Sequence, residues 1–353
     1  MTTHTCDLTV VVSTYNRADR LPLALDALQD QSGDVRYEII VVDNNSTDST
    51  RAVVEAIAAE SGGKVRYAFE PRQGLSYGRN TGIELSQSPL VAFTDDDVRV
   101  APDWVDTLKR VCDEHPDIDY VGGPVLPNWL QPPPRWLTRG HWGPLALQDY
   151  GSEGIVTGKE RGMCLVGANM TFRRRVFERV GTFSPALGRI KDGIGSTEDH
   201  DMQLRVWRAG MRGLCHPAPV VLADVTPDRM EKAYHRRWHR GNGRHCAMMR
   251  LREFVPMDVG PVTEPQDIVT LFGSPAFVHV DLVRYTYLWA DAVLRRDDSL
   301  FYANQLRHVW SYVKTRYVLF RADRPRSVPI ELVTFLRSYI RKQLNRTPRP
   351  ARI

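Results

Sequence analysis

Three carboxylates stand side by side at Asp95, Asp96 and Asp97. Adjacent acids repel one another, so a folded chain keeps them together only against something cationic or hydrogen-bonding. Hard divalent metals holding phosphate oxygens are natural partners for such a set. The plainer alternative is a solvated acidic turn. A second acidic group, Glu198, Asp199 and Asp201, lies about a hundred residues on. At a helix start the dipole keeps carboxylates ionised. An ionised carboxylate facing a site suits a general base that takes the proton of an alcohol attacking a sugar carbon, and Asp199 is the residue assigned to it. Glu198 and Asp201 are then supports or acceptor contacts. The competing reading is a helix cap, because Ser196-x-x-Asp199 matches a capping box.

The remaining chemistry-bearing residues sit where strands end. Thr14-Tyr15-Asn16-Arg17 follows the run 8–13, LTVVVS, and Asp43 follows 37–42, YEIIVV. Tyr15 can clamp a base by stacking or edge contact, and Asp43 can accept from a ring N–H. Gly74-Leu75-Ser76-Tyr77-Gly78-Arg79-Asn80 supplies a tight backbone with an arginine and an amide. Asp95 or Asp96 can take ribose hydroxyls, and Asp97 can hold a metal. Singly these residues read as packing, a cap or a surface ion pair. Their order at successive strand ends points to a nucleoside diphosphate.

The elements that must position them alternate. Apolar, β-branched runs at 8–13, 37–42, 65–69 and 90–94 predict strands of a parallel sheet. Helical patterns lie between them: one with Asp19 as cap and Pro22 in its first turn, one carrying Val53, Val54, Ile57 and Ala58, and one over 74–86. This is an α/β pattern with helices on both faces of the sheet. Further on the spacing predicts a helix at 102–114, strands at 120–125 and 165–172, helices at 174–180 and from Ser196, and one or two strands within 213–225. Residues 127–160, with three consecutive prolines and Trp129, Trp136 and Trp142, predict a long loop, either a lid or a cover over the core. Two amphipathic helices follow, one with Val278, Leu282, Tyr285, Trp289 and Val293 on a face, the other with Tyr302, Leu306, Val309, Trp310, Val313, Tyr317 and Phe320.

The motifs VVVSTYNR, VVDNNSTD, GLSYGRN, FTDDD, VGAN and TEDHD, spread over about residues 8 to 225, together resemble the family-2 glycosyltransferases of GT-A fold. The resemblance implies a nucleotide-diphospho-sugar transferase with a Rossmann-like, mostly parallel sheet. It implies an inverting transfer of sugar from a UDP-, GDP- or dTDP-linked donor to a saccharide or lipid-linked acceptor. Mg²⁺ or Mn²⁺ would be bound through the DxD-type acids. By the same resemblance Asp43 meets the base, Asp95 the ribose, Asp97 the metal, and Asp199 is the base. Contiguity of the three acids lets the ribose and metal roles shift by one, so Asp95 is a second metal candidate. The spacing Gln203-Leu204-Arg205-Val206-Trp207 departs from the QxxRW of processive members, which favours transfer of a single sugar. The alternative function is a non-catalytic nucleotide-sugar-binding or membrane-scaffold protein on the same fold.

Charge is unevenly spread. The net charge is +5, yet residues 229–252 hold eight Lys/Arg against one acid, and 321–353 hold nine against two. An acidic body, 1–228, therefore precedes a basic helical appendage, 229–353. The segment 235–252 reads as a flexible loop, hinged at Gly241 and Gly243, that brings Arg237, Arg240 or Arg244 to the diphosphate. His239 or His235 would complete the metal shell. The appendage is expected either to pack on the catalytic domain or to dock peripherally on an anionic membrane. No nucleic-acid-binding pattern appears, and no GxGxxG follows a strand. The five cysteines are scattered and odd in number, which fits a reducing cytoplasm.

Overall fold

The computed structural model describes residues 6–190, 193, 197–255, 259–323 and 333–337. In chain order the elements are β1 Leu8–Thr14, α1 Leu21–Gln29, β2 Tyr37–Asp43, α2 Thr50–Glu60, β3 Val65–Phe69, α3 Leu75–Leu85, β4 Leu90–Asp95, β5 Val98–Val100, α4 Trp104–Glu114, β6 Tyr120–Gly122 and β7 Val125–Trp129. They continue with β8 Ile155–Thr157, β9 Met170–Arg173, α5 Arg174–Val180, α6 Glu198–Arg208, β10 Gly213–Cys215 and β11 Val221–Val225. The C-terminal part holds α7 Lys232–Met248, α8 Leu251–Phe254, β12 Thr270–Leu271, β13 Ser274–Pro275, α9 Ala276–Arg295 and α10 Ser299–Asp323.

Two compact units result: Met1–Trp238 with Asp258–Val262, and His239–Met257 with Thr263–Ile353. The first is built on an eight-stranded sheet ordered β3-β2-β1-β4-β9-β6-β10-β8. β1, β2, β3 and β4 run parallel, while β9 runs antiparallel to both β4 and β6. The central runs of β1 and β2 are buried on both faces, which is why their sequences are continuously apolar rather than alternating. A second sheet, β5-β11-β7, stands apart from the first. The chain steps outward from β1 to β2 to β3, then returns to place β4 on the other side of β1. That reversal is a topological switch point, and open α/β sheets bind ligands at the strands' carboxyl ends beside such a point.

Helix α3 lies tight on β1. A Cβ at Gly78 would stand 2.1 Å from Ser13 Oγ, and one at Gly82 2.2 Å from Val11 Cγ1. The glycines four residues apart are a packing seam.

Several local expectations are corrected. Helix α1 is preceded by Arg20 and takes no side-chain cap from Asp19, although Pro22 does occupy its first turn. The expected strand at 120–125 is two strands in two sheets, β6 and β7. Residues 165–172 begin as a turn, with a 3₁₀ segment at Gly167–Asn169, and only then become β9. The 127–160 segment carries β8, and Trp129, Trp136 and Trp142 pack on the core. The basic segment is not a loop: residues 232–248 form helix α7. Gly243 is glycine because a Cβ there would stand 2.3 Å from the His308 carbonyl oxygen, so it is a contact point and not a hinge. On α9, Val278 is buried, and Leu282 and Tyr285 pack against the second unit's core, but Trp289 and Val293 are exposed.

Candidate active site

The loops after β1 and β2 are laced together. In the sheet register Thr14 faces Asp43 and Ser13 faces Asp95, so three strand ends meet side by side. Asn16 and Asn45 adopt positive φ, 52° and 65°, conformations that asparagine tolerates. Asn16 Oδ1 accepts from Thr47 N at 2.8 Å, and Asn16 N donates to Ser46 Oγ at 2.9 Å. Asp43 is buried; it accepts from Ser46 N at 2.9 Å and from the Tyr67 hydroxyl at 3.0 Å. Burial first, then that bond to Asp43, pushes the Tyr67 phenol up to about 12. Tyr15 stands half-buried at the tip of the first loop.

The acidic turn is held by arginines. Asp96 accepts from Thr14 Oγ1 at 2.7 Å and faces Arg17 Nε at 4.0 Å. Burial, then the charge of Asp97, raises the Asp96 carboxyl above its ordinary range. Asp97 faces Arg229 Nη1 at 3.5 Å, and its backbone carbonyl accepts from Asp224 N at 2.9 Å. Asp95 accepts from Arg79 Nη2 at 3.3 Å.

Arg79 is the hinge-pin of the arrangement. It is buried, and its other terminal nitrogen, Nη1, donates to Glu198 Oε1 at 2.8 Å. Burial alone would drive the guanidinium towards neutrality, but Glu198, Asp95 and Asp199 hold its charge. One cation thus ties the end of β4 to the start of α6. Gly167 completes the fit, since a Cβ there would stand 2.8 Å from Arg79 Nη2. The backbone N–H of the same Gly167 donates to Asp199 Oδ2 at 3.2 Å.

Asp199 lies in the first turn of α6. Its Oδ1 accepts from His200 N and lies 2.8 Å from His200 Nδ1. Burial works against the Asp199 charge, but the His200 imidazole outweighs it, so the carboxyl titrates below its ordinary range. His200 is raised in turn: burial opposes its charge, and Cys164 and Asp199 favour it. The capping alternative rested on Ser196, which lies outside the described residues; the N-cap residue is Thr197, without a side-chain cap bond.

Thr14, Arg17, Asp43, Asp95, Asp96, Asp97, Arg79, Glu198 and Asp199 are therefore linked through adjoining strand ends, hydrogen bonds and ion pairs. Asn80 and Asp201 are used elsewhere. Asn80 exchanges two 2.9 Å hydrogen bonds with the backbone of Phe183, and Asp201 pairs with Arg205 Nε at 2.9 Å on its own helix. Arg237 belongs to the first unit, whereas His239, Arg240 and Arg244 belong to the second. His235, in the first unit, is buried with its ring 5.0 Å from that of Trp136. Burial, then His141, lowers it to about 4, so it is neutral.

Two residues that the sequence reading gave no role in the site adjoin it. Arg229 follows β11 and answers Asp97; its strand-end position was the available signal. Gln203 is buried and clamps both backbone groups of Leu165, each at 2.8 Å, which fixes the turn that leads to Gly167. Among the described residues no three His, Cys, Asp or Glu side chains form a ready-made metal site. The donor chemistry nonetheless suits a hard cation: hard carboxylate oxygens crowd within three residues, and burial, then the neighbouring charge of Asp97, raises the Asp96 carboxyl. The residues fit such an ion sharing its shell with a ligand's phosphate oxygens.

The profile of glycosyl transferase family 2 matches residues 9–181. Glucosyl-dolichyl phosphate glucuronosyltransferase of Haloferax volcanii is 28% identical over 203 residues, covering 57% of this chain and 63% of its own length. Validoxylamine A glucosyltransferase of Streptomyces hygroscopicus subsp. jinggangensis is 36% identical over 110 residues, 30% of this chain and 26% of its own. The chain thus spans under two thirds of either relative. Among solved structures, the mannosyltransferase PcManGT of Pyrobaculum calidifontis, in complex with GDP-Man and Mn²⁺, superposes with a TM-score of 0.55 at 18% identity, over 90% of this chain and 88% of its own. That likeness shows a shared GT-A fold.

Proposed function

We propose, from the match of residues 9–181 to glycosyl transferase family 2, that the chain transfers a single sugar, with inversion, from a nucleoside-diphosphate sugar to an acceptor hydroxyl. The observation that carries the reading is Arg79, whose buried guanidinium binds Asp95 on one side and Glu198 on the other. It joins the acidic turn, through Asp95, to the first turn of α6, which carries Glu198 and Asp199.

In this reading Asp43 and Tyr15 orient the base and Asp95 or Asp96 the ribose. A divalent cation, held through Asp97 with Asp95, would supply positive charge at the diphosphate. Arg17 and Arg229 neutralise the remaining charge of the turn. Asp199 accepts the acceptor's hydroxyl proton as the oxygen attacks the anomeric carbon. The new C–O bond forms on one face while the bond to the diphosphate breaks on the other, and the nucleotide leaves with that electron pair. His200 keeps Asp199 ionised and aimed, and the Gly167 N–H fixes its second oxygen.

The named relatives support the classes of substrate: PcManGT is described with GDP-Man and Mn²⁺, and the Haloferax protein by name acts on glucosyl-dolichyl phosphate. The acceptor proposed here is accordingly a saccharide, free or lipid-linked. A thermal-shift screen of UDP-, GDP- and dTDP-sugars with and without Mn²⁺ tests the reading, because a specific donor stabilises by mass action. One donor should raise the unfolding temperature in a Mn²⁺-dependent way, and Asp97→Asn should abolish the shift. Indifference to every nucleotide-sugar would overturn the proposal.

A further inference from the structure

Helix α9 is apolar on two sides. One side buries Val278 and packs Leu282 and Tyr285 on the second unit's core. On the other, Val280, Val283, Tyr287, Ala290 and Leu294 recur at alternating intervals of three and four residues, a continuous stripe about 21 Å long. All five are exposed; the four larger ones are between 65% and 83% accessible. A contiguous exposed apolar stripe marks an interaction surface, so this one calls for a partner. Helix α10 carries a second pattern: Trp310, Lys314, Tyr317 and Arg321, all exposed, at intervals of four, three and four residues. Indole and phenol rings alternating with long cationic side chains suit the boundary between acyl chains and headgroups.

Charge decides between occupants. The sequence of the second unit holds nineteen Lys/Arg against nine Asp/Glu, net +10, and the first unit's holds 28 against 33. Over its described residues alone the second unit carries twelve Lys/Arg against eight Asp/Glu, net +4, so two copies brought together would set like charge against like. An anionic surface is complementary to it, and no helix among the described residues is long and apolar enough to cross a bilayer.

We propose that α9 and α10 form a docking face for an anionic membrane surface, with the Val280–Leu294 stripe seated at the acyl boundary and Lys314 and Arg321 meeting lipid phosphates. This inference is independent of the transfer reaction. It is tested on the full chain by cosedimentation with vesicles of phosphatidylcholine alone and of phosphatidylcholine mixed equally with phosphatidylglycerol, at low and high salt. The chain should sediment with the anionic vesicles only, and less at high salt. Lys314→Glu with Arg321→Glu should weaken binding by about fivefold for each charge removed. Val283→Glu with Leu294→Glu should abolish it while leaving the thermal midpoint unchanged. Absence of sedimentation of the unaltered chain overturns the proposal whatever the variants do. So does a concentration-dependent dimer in lipid-free solution that Leu294→Glu dissolves.

Discussion

At the scale of single residues, the site depends on charges held where burial opposes them. Asp199 is kept ionised by His200, so Asp199→Asn should lower the rate of transfer by about 10²–10⁴-fold while leaving donor binding intact, measured as kcat beside a donor titration. A side chain outside the chemistry shows the same physics. Glu70 is buried and accepts from Arg72 Nη2 at 2.7 Å and from Thr81 Oγ1 at 2.6 Å, and those bonds, Arg72 first, pull it down to about 2. A carboxyl depressed by folding stabilises the native state above its unfolded pKa, and that gain is lost as pH falls through the folded value. Glu70→Gln should therefore cost about 1–3 kcal/mol at pH 7 in urea denaturation. The gap from the unaltered chain should narrow between about pH 5 and pH 2. Asp95, Asp96, Asp97 and Asp199 were legible from the chain because identical charges in a row need an explanation. Arg229 was not: its place after a strand was a weak mark in a basic stretch, and its pairing with Asp97 emerges when the fold brings β11 beside β5.

At the scale of elements, close approach matters more than propensity. Helix α3 contains two interior glycines that weaken it as an isolated helix, and both are needed because β1 lies directly beneath. Gly82→Ala should destabilise the first unit by about 1–3 kcal/mol in chemical denaturation, since the Val11 side chain has no room to retreat. The central strands and the helices between them were readable because a parallel sheet demands unbroken apolar runs. The turn at Gly167–Asn169 was read as strand, since its apolar sequence cannot be told from one. What fixes it as a turn is Asn169, whose amide donates to Pro124 O and Pro219 O and accepts from Trp104 Nε1, contacts made across 45 to 65 residues. The glycines of α7 misled for a related reason: Gly243 looks like freedom in a sequence and is contact with His308 in space.

At the scale of the whole molecule, the compact units divide after Trp238, and their sequences carry opposite net charge, 28 Lys/Arg against 33 Asp/Glu in the first and nineteen against nine in the second. Cys112, Cys164 and Cys215 hold free thiols, and Cys112 and Cys215 are buried. The five cysteines are scattered and odd in number, which signals no disulfide framework, so adding a reductant should leave the thermal unfolding midpoint where it was, and a fall would reveal a disulfide. The direction of β9 has a wider consequence. Because it runs against β4, what reaches the sheet edge at the end of β4 is the segment entering β9, whereas β1 to β4 contribute the segments leaving them. The residues gathered at that edge are thus drawn from separable stretches of chain. Under the proposed reaction, the departing loops select the donor and the arriving stretch around 160–169 seats the base. We expect such an architecture to inherit new acceptors by exchange of the stretch before β9 while its donor preference stays fixed. A chimera that altered both preferences together would refute that modularity.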